Sequence, residues 1–266
     1  MLDLRFEGYL FFLNEWTIFL GTIILYLIAT EIGYQIGKRI KEPHINKLKP
    51  HVESIQTSVI GLLALLIGFT FAMSITRYEN RKQFLVEEAD AIETSFLRSQ
   101  ILEEPYHTQL AALLKQYIDN RLEYLTVGLD SYKLNQALAR TNDLQQKMWS
   151  IGIEAAKHDQ RYEYAALALS SLNELINLHN LRLQAALNQV PETILFLIIL
   201  VTAFSMALTG YDMGLDKQRN VYITAYLAVL IAAVTIVIID LDRPGRGMIK
   251  ENMSSMIRLS EEMKKK

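Results

Sequence analysis

The chain has 266 residues, of which 51% are apolar and 21% charged, with a formal net charge of −2 and no cysteine. That balance gives a nucleic-acid partner no footing, and the missing thiol excludes disulfides, thiol chemistry and thiolate metal sites. The averages would suit a soluble protein, but four apolar runs, at about residues 16–36, 55–75, 193–212 and 220–239, each approach the roughly 20 residues a helix needs to cross about 30 Å of hydrocarbon.

Met1–Glu15 carries Asp3, Glu7 and Glu15 against Arg5, so no cleaved signal peptide is expected and the first run serves as its own targeting signal. That run extends from Trp16 to Gly37 and meets Lys38 and Arg39. Trp16 and Tyr34 suit the two headgroup regions. Gly33 and Gly37 form a GxxxG pair, which permits close approach of another helix. Glu31 lies about two turns before the basic flank. A carboxylate that deep must be protonated, face the bundle, or sit near the interface.

The link from Lys38 to Glu53 is basic, and Pro43 and Pro50 are expected to break helix there. The second run starts near Ser54. No proline or glycine occurs from Phe69 through Glu104, and Leu85, Ala89, Ile92 and Phe96 keep helical spacing. One long helix is therefore expected to leave the membrane and become the first helix of an extramembrane domain. Pro105 marks the next helix start, with Leu110, Leu114, Tyr117 and Leu122 on its apolar face and an end at Gly128–Ser131. Further helices are expected at 133–157 and 160–188, the latter with a seam of Leu169, Leu172, Ile176, His179 and Leu183. Pro191 opens the third run, and the short link 212–219 makes the third and fourth runs an antiparallel hairpin.

The tail from Met248 is amphipathic, with Met253, Met256, Ile257 and Met263 toward one side. It could lie on the membrane or pack on the helical domain. The expected fold is all-α: a membrane hairpin in residues 1–79, a helical extramembrane domain in 80–190 inserted between the second and third spans, a second hairpin in 191–240 and the tail in 241–266. Four spans put both termini and the domain on one side. The short links are denser in Lys and Arg, which favours the cytoplasm for them and the outside for the helical domain, whereas the raw total favours neither side, so charge leaves the orientation open.

Chemistry is sparse. The five histidines (His44, His51, His107, His158 and His179) are scattered, so neither a metal nor another cofactor is expected, and His179 reads as a core histidine. There is no phosphate-cradling glycine loop and no nucleophile elbow, so an enzyme is not expected. Glu87-Glu88-x-Asp90 reads as a solvated helical face.

The functional signal lies on the second run. At about 100° per residue, Gly61, Ala64, Gly68 and Ala72 form a small-residue stripe. Beside it run Ser58, Leu62, Leu65, Phe69, Met73 and Thr76, apolar in the middle and hydroxylated at the ends. Such a stripe is either bundle packing or the lining of a pore with a greasy constriction, closed to water until the helices move. Arg77, near the membrane exit, is a candidate electrostatic filter or a snorkelling interfacial arginine.

The segment Leu66-Ile-Gly-Phe-Thr-Phe-Ala-Met-Ser-Ile-Thr-Arg-Tyr78 resembles the end of the second helix of the bestrophin channels, where a Gly-Phe pair is followed, eight residues after the Phe, by Arg and an aromatic. Here these are Gly68, Phe69, Arg77 and Tyr78. Glu88-Ala-Asp-Ala-Ile-Glu and Asp240-Leu-Asp-Arg-Pro resemble the bestrophin-like membrane proteins, as does the layout of two spans, a helical domain and two spans. The resemblance implies a homopentameric ion channel whose neck is lined by the second helix, with Leu65 and Phe69 at neck positions. Gly61 stands where the family has a bulky aliphatic residue, which widens that ring or shifts it to Leu62. The calcium clasp of animal bestrophins is not carried over, because only Asp240 and Asp242 precede Arg243-Pro244. The family places the helical domain in the cytoplasm, against the charge density above, so the side is left open.

The expectation is thus a multi-pass protein of a plasma or bacterial inner membrane, assembled with copies of itself. It would pass small monovalent ions of the chloride class through a hydrophobic neck (Leu62, Leu65, Phe69 and Met73), with Ser58, Thr76 and Arg77 at the entrance or filter. Bestrophin-like channels include anion- and cation-preferring members, so selectivity does not follow from the resemblance. A non-conducting sensor or assembly module, its helical domain binding a ligand or partner, is the alternative. A carrier using Glu31 as a proton-coupled site is a third reading.

Overall fold

The computed structural model describes residues 13–126, 131–158, 162–244, 247–249 and 251–265. Among these it forms eight helices and no strand: α1 Glu15–Lys38, α2 Glu42–Ser99, α3 Tyr106–Thr126, α4 Ser131–His158, α5 Tyr162–Leu187, α6 Glu192–Leu215, α7 Val221–Asp242 and α8 Ser254–Lys265. Four apolar stretches, in α1, α2, α6 and α7, are long enough to cross a membrane. The expected helix end at Gly128–Ser131 falls largely on 127–130, and the reading of the N-terminus on 1–12; both lie outside the described residues.

The chain divides into two compact units, Glu7–Arg77 with Gln189–Arg243, and Tyr78–Asn188 with Pro244–Lys266. Helix α2 contributes to both.

The apolar unit is built on α1 and α6. The GxxxG pair of α1 meets a second small-residue pair, Gly210 and Gly214 on α6. A Cβ added at Gly33 would lie 1.9 Å from the Ala207 carbonyl oxygen, and one at Gly210 would lie 1.9 Å from that of Thr30. Backbone thus touches backbone, which is how helices associate where lipid supplies no hydrophobic drive. Helix α7 packs on α1, with Ala228 and Ala232 clustered against Tyr26 of α1 and Met206 of α6. Buried threonines answer their own helices: Thr30 donates to the Tyr26 carbonyl at 2.8 Å and Thr202 to that of Ile198 at 2.7 Å.

Polar clasps hold the ends of this unit. Asn14 caps α1 by accepting from the Trp16 N–H at 3.0 Å, which satisfies one of the four orphan donors of a helix start. At the same end the Asp242 carboxylate accepts from the Val190 N–H at 2.8 and 3.0 Å, and Arg243 pairs with Glu15 at 3.2 Å. At the other end Lys49 pairs with Asp216 at 2.8 Å and Gln56 donates to Thr209 at 3.1 Å.

One sequence expectation fails here. Helix α2 starts at Glu42, well before Ser54, with Pro50 inside it. Pro43 lies in the first turn, where a missing N–H removes no bond. Pro50 does remove one, from the Asn46 carbonyl, but Asn46 is exposed and water can replace the donor.

The second unit is a helical bundle. Its core includes Ile92 and Phe96 from α2, Leu110, Leu114 and Tyr117 from α3, Met148 from α4 and Leu172 and Leu175 from α5. Helix α8 joins it through Met256, Leu259 and Met263, with Ser260 donating to Asp119 at 3.0 Å. Of the two settings open to the tail, it packs on helices. Ile257, expected on the packed side, is exposed, and Leu259 takes that role.

Candidate functional site

Helix α2 has a buried and an open meridian in the apolar unit. Leu63, Thr70 and Ser74 are buried, and Ile67 is packed beside Ile18, Leu195 and Ile236. On the far side Leu62, Leu65 and Phe69 are 50%, 53% and 68% exposed. The small-residue stripe also lies on the open side: Cβ atoms added at Gly61 or Gly68 would meet nothing within 4 Å. No described residue of the chain covers this face, so the small-residue stripe and Leu62, Leu65 and Phe69 of the second stripe remain available to lipid or to another molecule.

The flanking candidates differ. Ser58 and Thr76 are exposed, and each hydroxyl donates to its own helix, to the Ser54 carbonyl at 2.9 Å and the Ala72 carbonyl at 3.0 Å. This leaves lone pairs on each oxygen for water or an ion. Met73 is half-buried against the Ile18–Ile236 cluster. Arg77 folds back over it, with Nη2 3.7 Å from the Met73 sulfur. The guanidinium therefore lies along α2 instead of reaching freely outward. Leu62, Leu65 and Phe69 share one open face with Ser58 and Thr76, whereas Met73 and Arg77 turn toward the packed side.

Glu31 has a partner that spacing could not supply. Its carboxylate forms an ion pair with Arg219 from the α6–α7 link and accepts from Gln35 Nε2 at 2.8 Å. Arg219 in turn lies over the Tyr34 ring, 5.5 Å from its centroid. The charge is held at the link end of the unit by a local network.

Sequence reasoning missed a buried ionic cluster in the helical unit. Glu88 is fully buried, not part of a solvated face. Its Oε1 accepts from Arg121 Nε at 2.8 Å and from the Tyr117 hydroxyl at 3.3 Å, and its Oε2 accepts from Arg182. Gln145 donates to the Tyr117 oxygen at 3.3 Å. His179 Nδ1 stands 3.8 Å from Glu88 Oε1, beyond hydrogen-bond range. Burial pushes the Glu88 pKa up, but Arg121 and Arg182 outweigh it and hold the carboxyl well below its usual range. Burial pushes the His179 imidazole down, toward the neutral form. The signal was present in the sequence: Glu88 shares the face of Leu85 and Ile92, Arg121 follows Tyr117 by one turn, and Arg182 follows His179 by three residues.

The comparisons agree with this architecture. The bestrophin-like domain profile matches residues 24–250. Among solved structures, a bacterial bestrophin homologue from Klebsiella pneumoniae, phased on zinc, superposes with a TM-score of 0.64 at 15% identity, covering 95% of this chain and 96% of that one. Two variants of a Klebsiella pneumoniae bestrophin homologue superpose at 0.65 and 0.64, with 16% and 15% identity; they cover 95% and 97% of this chain and 99% and 97% of theirs. No curated protein matches. At such identities the structures speak to fold alone. The profile spans most of the sequence, from within α1 past the end of α7, and on that ground the chain belongs to the bestrophin-like family.

Proposed function

We propose that this membrane protein is an oligomeric ion channel, built as a homopentamer around α2, with a helical domain in 80–190 inserted between its second and third spans. The observation that carries the reading is the uncovered face of α2. Leu62, Leu65 and Phe69 stand open beside Gly61 and Gly68, while the opposite meridian is packed into the protomer. A face meant only for lipid needs no small-residue stripe beside its large side chains. In a ring of copies the small stripe lets neighbouring helices approach, and Leu62, Leu65 and Phe69 then crowd the axis as a hydrophobic constriction. Ser58 and Thr76 offer hydroxyls at either end of it. Met73 and Arg77 line the exit only after rotating away from their present packing. Small monovalent ions, chloride first, are the proposed cargo. The glycine at position 61 leaves the ring at that level wide.

Two measurements test this. An averaged image of the purified particle down the membrane normal is expected to show five-fold symmetry with α2 innermost; a monomer or dimer in mild detergent contradicts the channel and favours the sensor. In planar bilayers, Leu65→Ala with Phe69→Ala is expected to raise conductance or open probability severalfold. Currents unchanged from the parent protein remove α2 from the conduction path.

A further inference from the structure

A cleft of about 340 Å³ opens at the link end of the apolar unit, between α1 and the start of α7. Its polar wall is the Glu31–Arg219 pair with Tyr34 and Asn220, and its apolar wall includes Leu27, Ile28 and Val221. The ionised side chains are only partly covered, 41% exposed for Glu31 and 54% for Arg219. Each has spare bonding capacity: one guanidinium carries five donors, and one carboxylate accepts at about four positions. From the cleft an apolar track runs down α1 at one-turn spacing. Ile28, Ile24 and Leu20 are 52%, 57% and 56% exposed. The polar wall of the cleft lies where a helix end meets a basic link, which is headgroup depth for a membrane span, and the apolar track descends from it toward acyl-chain depth.

We propose that this cleft binds one zwitterionic aminophospholipid, phosphatidylethanolamine in kind. Its phosphate sits on Arg219, its primary ammonium on Glu31, and an acyl chain lies along Ile28, Ile24 and Leu20. Charge complementarity selects this occupant. The cleft presents one negative and one positive group side by side, so a headgroup with both charges satisfies both. A purely anionic headgroup would bring a second negative charge against Glu31. A choline headgroup carries the positive charge but has no N–H to donate, and loses the charge-assisted hydrogen bond to the carboxylate. The Tyr34 ring, 5.5 Å from the Arg219 guanidinium, and the ion pair to Glu31 restrain that guanidinium, so less freedom is lost on binding. The inference rests on α1 and α7 crossing the membrane and not on conduction.

The test uses the full chain in nanodiscs containing equal parts phosphatidylethanolamine, phosphatidylcholine and phosphatidylglycerol. Lipids that stay with the protein after detergent extraction are quantified by native mass spectrometry. The expected result is enrichment of the ethanolamine lipid over the choline lipid by about fivefold, the scale of one partly exposed charge-assisted hydrogen bond. Glu31→Gln is expected to bring that ratio close to one while lipid is still retained, and Arg219→Gln to lower retention of both. Equal retention of the three lipids by the parent protein overturns the proposal, as does preference for the anionic lipid. An unchanged ratio in Glu31→Gln overturns the assignment of the ammonium. Because the readout is lipid retention, a protein that conducts nothing can still give the expected answer, and a working channel can still fail it.

Discussion

Glu88 shows how much one side chain can organise. A single carboxylate, wholly buried, faces two guanidiniums and a tyrosine hydroxyl. Removing the charge leaves Arg121 and Arg182 buried against each other. Glu88→Gln is therefore expected to destabilise the helical unit by about 3–5 kcal/mol, the usual effect of breaking a buried pair from one side, read as a large fall in the midpoint of thermal unfolding. The pH dependence follows from two depressed pKa values. An imidazole held below its ordinary 6.5 leaves the unfolded chain binding more protons as pH falls past that value. A carboxyl held well below 4.5 adds a second loss below that point. Stability is thus full at neutral pH, begins to decline on acidification below about 6.5 and drops further below about 4.5. Thermal melts between pH 7 and 4 check this, and His179→Gln is expected to remove the upper part of the slope only. The cluster was hard to read in the sequence because acidic residues on helices are usually solvated. The register of Glu88 with Leu85 and Ile92 was the overlooked clue.

At the level of elements, the glycines of α1 and those of α2 have opposite consequences. A methyl group at Gly33 would collide with backbone, which cannot rotate away, so Gly33→Ala must separate α1 from α6. The expected loss is about 1–3 kcal/mol, measured as a lowered melting temperature of the protein in detergent. Gly68→Ala meets open space within the protomer, so its melting temperature should hold, and any effect should appear in particle size or in current. Neighbour identity separates the two cases, and spacing alone could not. The GxxxG pair was visible at Gly33 and Gly37, but its partner pair, Gly210 and Gly214, is read only once α1 and α6 are side by side. Pro50 marks another limit of the one-dimensional view. A proline far from its helix start normally ends the helix, yet here the freed carbonyl belongs to an exposed residue that water can satisfy.

For the molecule as a whole, apolar runs and helical periodicity made the all-helical plan and the four spanning stretches readable, because burying a helix in lipid leaves a mark on every residue of it. Periodicity also grouped Leu65 and Phe69 on one face of α2, one turn apart, but left open whether that face is packed or free. It carries no information about how many copies would share that face in the proposed channel, because oligomer number depends on angles between molecules, which composition does not encode. The side occupied by the helical domain is hidden for a related reason: lysine and arginine are dense in the short links, whereas the family places the domain in the cytoplasm. Protease protection in right-side-out vesicles is the direct measurement. Cleavage within residues 80–190 from outside would make the charge argument the better guide.

The glycine seam of α1 and α6 has a mechanical corollary. Two backbones locked knuckle to knuckle cannot slide without a collision at each step, so that pair behaves as a fixed post. Helix α2 makes no comparably close approach to α1, α6 or α7 among the described residues. It meets them through side-chain tips such as Ile67 and Met73, which can change rotamer at little strain. Whatever widens or narrows an aperture between copies would then be a roll of α2 against a stationary frame, with the flexible Met73 thioether as its bearing.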